Sequence, residues 1–254
     1  MKERKPKQTK ETVPIRRIMV IVVLMVACGC ALKGYIGNYY EATEIAHEAL
    51  LGTRNVTVTQ TDDYYLFQSA DTPDVPEDER GIIFYPGGKV EETAYAPLMS
   101  ELAECGYEVY LIRMPARLAV LKPNAADPVI EEREDIRQWT LMGHSLGGAM
   151  AADYAAEHND CVSELVLLAA YSTVDLSECG ITVLSIYGSE DGVLNREKYE
   201  KNRANLPENA IEYVIDGGNH SGFGYYGQQK GDHVAGISPK EQQEAVVDAL
   251  CYDQ

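Results

Sequence analysis

Positive charge is scarce in this chain. Its 22 lysines and arginines stand against 40 aspartates and glutamates in 254 residues, a net charge of −18. Residues 1–17 hold seven basic residues and two acids, a net +5, which leaves −23 for the remainder. A body that acidic repels the phosphates of nucleic acid and a flat anionic lipid surface, so nucleic-acid partners are excluded. Tryptophan is limited to Trp139, expected in the core. The six cysteines (Cys28, Cys30, Cys105, Cys161, Cys179 and Cys251) form no paired C-x-x-C motifs. Structural zinc is therefore not expected, and nothing implies another metal or a cofactor. A domain of this size folds without disulfides. The last four cysteines could still pair in an exported protein, with a connectivity the sequence does not set. Internal repeats, an insertion long enough for a lid domain and any sign of an obligate protein partner are also missing.

What is present begins with a hydrophobic run. Residues 18–32, behind the basic cluster, are almost unbroken apolar residues, ended by Lys33. A basic stretch followed by such a run reads as an export signal. It is shorter than the roughly 20 residues of a spanning helix. A helix over 15–36 would span if Lys33 snorkels to the interface. The expectation is an uncleaved cell-membrane anchor over 1–37, with its basic flank cytoplasmic and the domain 38–254 extracytoplasmic. A cleaved, secreted form and a lipoprotein made at Met25-Val26-Ala27-Cys28 are the alternatives.

Short apolar runs predict strands at 56–59, 64–67, 81–85, 107–112, 138–142, 165–170, 181–187 and 211–215. Between them, helices are predicted over 38–51, 95–105, 149–156, 195–205 and 238–250, and one over 118–134 broken at Pro123 and Pro128. Residues 72–80, rich in proline and acid, read as a loop. The alternation predicts an α/β domain: a mostly parallel sheet with helices on both faces.

Gly143-His144-Ser145-Leu146-Gly147 fits G-x-S-x-G, with a strand before it and an alanine-rich helix after it. Ser145 would sit on a sharp turn whose neighbours leave no room for a Cβ. Ligands of such sheets bind beyond the carboxyl ends of the strands, where Asp191 and His220 also fall. A serine nucleophile needs a base, and the base needs an orienting partner. Ser145, His220 and Asp191 supply these roles in turn. Glu190 or Asp216 could orient instead, and His233 is the rival base. For a developing oxyanion, the expected donors are the N–H of Leu146 and that of Gly88, with Lys89 next, in the turn Pro86-Gly87-Gly88-Lys89. Gly217-Gly218 lacks a following Lys-Ser/Thr, which excludes a P-loop. Arg113 could bind a substrate carboxylate or pair with a surface acid. Phe223, Tyr225 and Tyr226 could wall a substrate pocket or simply pack.

Together, Phe84-Tyr85-Pro86-Gly87-Gly88-Lys89-Val90, Arg113-Met114-Pro115, the Ser145 motif with Gly148, Gly188-Ser189-Glu190-Asp191-Gly192 and Gly217-Gly218-Asn219-His220 resemble the α/β-hydrolase fold-5 family, related to dienelactone hydrolases. The resemblance covers roughly residues 38–254. It implies the α/β-hydrolase fold and a Ser145–Asp191–His220 triad. Dienelactone hydrolases usually carry cysteine where this chain has Ser145. Many family members also resemble it in carrying an N-terminal membrane segment. The activity to expect is hydrolysis of an ester or related acyl bond in a small-molecule substrate. A lipase or peptidase of the same fold, and a binding or scaffold protein that kept the fold without turnover, are the other readings.

Overall fold

The structure, a computed structural model, describes residues 15–70 and 80–251. The basic residues within 1–14, and residues 72–79 of the loop expected over 72–80, lie outside the described residues. The chain divides into two compact units, Met1–Asn38 and Tyr39–Gln254. In the first, residues from Ile15 to Gly37 form helix α1 (Ile15–Gly37), along which Met19, Val20, Val22, Val23, Leu24, Met25 and Val26 are exposed. Among the described residues, no helix is long and apolar enough to cross a membrane.

The second unit is built on one eight-stranded sheet: β1 (Val56–Gln60), β2 (Tyr64–Ser69), β3 (Arg80–Tyr85), β4 (Glu108–Ile112), β5 (Gln138–His144), β6 (Val162–Leu168), β7 (Thr182–Gly188) and β8 (Ile211–Ile215). The spatial order is β1-β2-β4-β3-β5-β6-β7-β8. The β1–β2 and β2–β4 pairings are antiparallel and the other five are parallel. Successive side chains of a strand point to opposite faces, and the central strands use both. Ile82, Phe84, Val109, Leu111, Met142, Val166 and Leu168 enter one core, while Ile83, Tyr85, Tyr110, Leu141, Leu165 and Leu167 enter the other. Burial on two faces is why these strands read as continuous apolar runs rather than alternating ones. Trp139 is fully buried, as expected.

Helices α2 (Glu44–Ala49), α3 (Ala96–Glu104), α4 (Asp127–Glu132), α5 (Leu146–Glu157), α6 (Arg196–Asn202) and α7 (Pro239–Cys251) complete the unit. Leu98, Met99 and Leu102 of α3 and Val246, Val247 and Leu250 of α7 cover the first core; Ala151, Ala152 and Ala155 of α5 cover the second. Ser238 starts α7 with a reciprocal cap: its Oγ accepts from Glu241 N–H at 3.2 Å, and Glu241 Oε2 accepts from Ser238 N–H at 2.8 Å. Two helices differ from expectation. The one predicted from residue 38 starts only at Glu44, because Tyr40 is bridged to Val90 instead. Pro128 does not break α4 but lies in its first turn, where its missing N–H has no cost. Residues 169–181, which join β6 to β7, contain no helix, and their Leu176 and Ile181 fill the second core directly.

Candidate active site

The elbow at the end of β5 is forced by close approach of backbone. Ser145 has φ 52° and ψ −119°, a region that non-glycine residues rarely occupy. Its N–H donates to Leu168 O at 2.9 Å and its carbonyl accepts from Ala149 N–H at 3.1 Å, so strand and helix lock the turn. A Cβ on Gly143 would meet the Gly147 carbonyl at 2.7 Å, and one on Gly147 would run into the carbonyls of Tyr85 and Pro86. The two motif glycines thus let α5 press onto β3 and hold Ser145 half-buried at the sheet's carboxyl edge.

Asp191 and His220 meet there. Their side chains are 0% and 1% exposed, and His220 Nδ1–H donates to Asp191 Oδ2 at 2.9 Å. Asp191 Oδ1 accepts from the N–H groups of Val193 (2.8 Å) and Leu194 (2.7 Å), so the same carboxylate caps its own loop. With the proton on Nδ1, His220 Nε2 presents a lone pair, and that atom is buried without a partner among the described residues. The Ser145 hydroxyl makes no hydrogen bond to it here; such bonds commonly tighten only when substrate is bound. The elbow and the histidine loop touch one residue earlier, where the His144 and His220 rings lie 4.6 Å apart. Glu190, Asp216 and His233 are exposed and take none of these positions.

In the turn expected to supply oxyanion donors, one amide is already engaged. Lys89 N–H donates to Arg117 O at 2.8 Å, so it is not a free donor. Gly88 N–H has no acceptor among the described residues, and Leu146 N–H is the first amide of α5, where helices leave donors unused. The two residues are neighbours: a Cβ on Gly88 would be 2.8 Å from Leu146 Cδ2. Tyr95, absent from the sequence-derived candidates, joins turn to elbow. Its fully buried hydroxyl accepts from Gly87 N–H at 3.1 Å and lies 2.8 Å from His144 Nδ1. Burial, then the nearness of His220, holds His144 well below the ordinary histidine value. Its ring is therefore neutral, and the Tyr95 proton goes to Nδ1. The first residues of the unit grip the same turn. Tyr40 N–H donates to Lys89 O (2.8 Å), Glu91 N–H to Tyr40 O (2.9 Å), and Ala42 N–H to Glu91 Oε2 (3.0 Å).

The weaker candidates have identifiable surroundings. Arg113 pairs with an acid, Glu92 (3.3 Å), the second of its two readings, and donates to the carbonyls of Thr61 (2.9 Å) and Asp62 (3.4 Å). Phe223 is core, packed 5.6 Å from the His144 ring, and Tyr226 is buried against Tyr40 and Tyr95. Tyr225 lines a cavity of about 410 Å³ with Thr43, Ile45, Ser221 and Ile237, and Ser145 is not part of its wall.

Asp232 is a second missed residue. Its Oδ1 accepts from Gly192 N–H (3.0 Å) and His220 N–H (3.2 Å), its Oδ2 from Ser221 N–H (2.8 Å) and Ser221 Oγ–H (2.5 Å). It thus ties the Asp191 loop to the His220 loop. Burial pushes this carboxyl up, but the Ser221 hydroxyl and the amides of Gly192, Ser221 and His220 outweigh it and hold it below the ordinary value. A group with a depressed folded value stabilises the fold above its unfolded value, about 3.9, and loses that effect as pH falls through the folded one. Asp232→Asn is expected to destabilise by about 1–3 kcal/mol at pH 7. Melting curves from pH 7 to 3 should show the gap from wild type closing below about pH 4; a gap that persists unchanged at pH 3 counts against this role.

The Alpha/beta hydrolase family matches residues 81–244, a span that contains Ser145, Asp191 and His220. No curated protein sequence matches the chain. Among solved structures, carboxylesterase CesB (YbfK) from Bacillus subtilis is similar with a TM-score of 0.56 at 10% identity, covering 82% of this chain and 95% of that one. A monoacylglycerol lipase from Paleococcus ferrophilus gives 0.54 at 15% identity, covering 68% and 95%. Est1E from Butyrivibrio proteoclasticus gives 0.53 at 14%, covering 77% and 97%. Motif, sheet order and matched span agree: the chain belongs to the alpha/beta hydrolase family.

Proposed function

We propose that the protein is a serine hydrolase that cleaves carboxylic esters of small molecules. The observation that carries this reading is the buried His220–Asp191 pair, whose bare Nε2 is held at the same sheet edge as Ser145. His220 Nε2 takes the hydroxyl proton as Ser145 Oγ bonds to the acyl carbon. The N–H groups of Leu146 and Gly88 stabilise the oxyanion. His220 then gives its proton to the leaving alkoxide, and water, activated in the same way, frees the acid. The named activities of the similar structures, carboxylesterase and monoacylglycerol lipase, favour an ester over an amide. The helix-free β6–β7 connection places no helical cap there, which favours small, freely diffusing substrates. A fluorophosphonate probe tests the assignment. The adduct should map to Ser145; folded protein that stays unlabelled would favour a binding or scaffold role.

We further propose that the N-terminal unit holds the domain on the outer side of the cell membrane. Support comes from the order of seven basic residues in 1–17 and the apolar run 18–32, and from the exposed apolar side chains of α1. The intact chain should sediment with membranes and be released by detergent but not by high salt. A soluble product lacking residues 1–32 would instead mean a cleaved signal.

A further inference from the structure

Helix α7 does more than cover a core, because it backs the histidine loop. Gln242 Oε1 accepts from Asn219 N–H at 2.9 Å, and Gln242 Nε2 donates to Asn219 O at 2.8 Å. Gln243 Nε2 donates to Gly222 O at 3.4 Å. These contacts bracket His220 on both sides. The far end of α7 closes on the end of α3. Cys105 is the C-cap of α3 and Cys251 the last residue of α7. Both pack, half-buried, against one core, and the Tyr107 hydroxyl donates to Leu250 O at 3.5 Å between them. That hydrogen bond joins the residue two places after Cys105 to the residue just before Cys251, which brings the two thiol-bearing helix ends together. The Cys251 thiol is pushed up by its burial and then by the nearby Cys105 side chain. Cys161 and Cys179 contact the opposite core, with their thiols on the carbonyls of His158 and Asp175.

We propose that Cys105 and Cys251 form a reversible disulfide that staples α7, and with it the support of the His220 loop, to α3. The two thiols lose two protons and two electrons to an oxidising disulfide, which leaves as two thiols; one S–S bond forms as another breaks. The bond closes a loop over most of the domain, the situation in which a crosslink restricts the unfolded chain most. Pairing does not depend on the esterase reading, since it needs only the two helix ends.

The test uses the full chain, purified reduced, treated with oxidised glutathione, alkylated and mapped without reduction. The expected result is one crosslinked peptide pair, Cys105 with Cys251, lighter by two hydrogens, with Cys161 and Cys179 alkylated. The melting temperature should rise by about 5–15 °C and return on adding dithiothreitol. Cys105→Ser should abolish the rise while leaving the reduced protein's melting temperature near that of wild type. If that variant folds poorly, the wild-type map still decides. Alkylation of both thiols, glutathione adducts without the crosslink, or pairing through Cys161 or Cys179 would each overturn the proposal. A crosslinked protein inert towards fluorophosphonate would leave the staple standing and remove only the esterase reading.

Discussion

Ser145→Ala is expected to lower kcat/KM for p-nitrophenyl butyrate by about 10⁴–10⁶-fold. At 10⁴-fold the loss is about 5.5 kcal/mol of transition-state stabilisation. The size follows from what remains. Without Oγ there is no acyl-enzyme route, and the residual rate comes from water polarised near His220 with the Gly88 and Leu146 amides still in place. The fold should be unaffected. Alanine meets the same backbone strain at φ 52° as serine, and among the described residues the Ser145 hydroxyl makes no hydrogen bond that its loss would break. A melting temperature within a degree or two of wild type should accompany the loss. A variant with wild-type turnover would end the proposed mechanism.

Asp191→Asn should cost about 10⁴-fold in kcat, and the local hydrogen bonds say why. Oδ1 is fixed as the acceptor of two amides, Val193 and Leu194. An asparagine would keep its oxygen there and turn its NH₂ towards His220 Nδ1. The imidazole must then carry its proton on Nε2, so it can no longer take one from Ser145. The measurement is kcat and KM across pH 6–10. A kcat loss with KM nearly unchanged is the expected split, because substrate binding does not need the tautomer. If activity stays near wild type, Asp191 is a turn cap and something else orients His220. The complementary variant Asp191→Glu keeps the charge but lengthens the side chain inside a fully buried pair, and should recover little.

Much of this was legible in the sequence because each informative residue has a local cause. Apolar runs mark strands covered on both faces, and all eight were visible within a few residues. The G-x-S-x-G motif was legible because Gly143 and Gly147 answer to backbone a few residues or one strand away. Asp191 and His220 were legible by their position just past strand ends. What stayed hidden depends on contacts far apart in the chain. Tyr95 reads as an amphipathic helix residue until its hydroxyl is seen between Gly87 and His144. Asp232 stands next to His233, which drew attention as a titratable ring while its neighbour held the loops together. The partners of Lys89 N–H and Arg113 stayed hidden for one reason: a donor's availability depends on which carbonyl or carboxylate folds back onto it.

The stitching of Tyr40 and Ala42 to the turn around Gly88 has a practical corollary. A shortened version beginning after Ala42 would lose these three hydrogen bonds to residues 89–91, and the turn that carries the Gly88 amide would slacken though Ser145, Asp191 and His220 all survived. Mechanical tension on the amino terminus would likewise reach that turn before it reached the sheet.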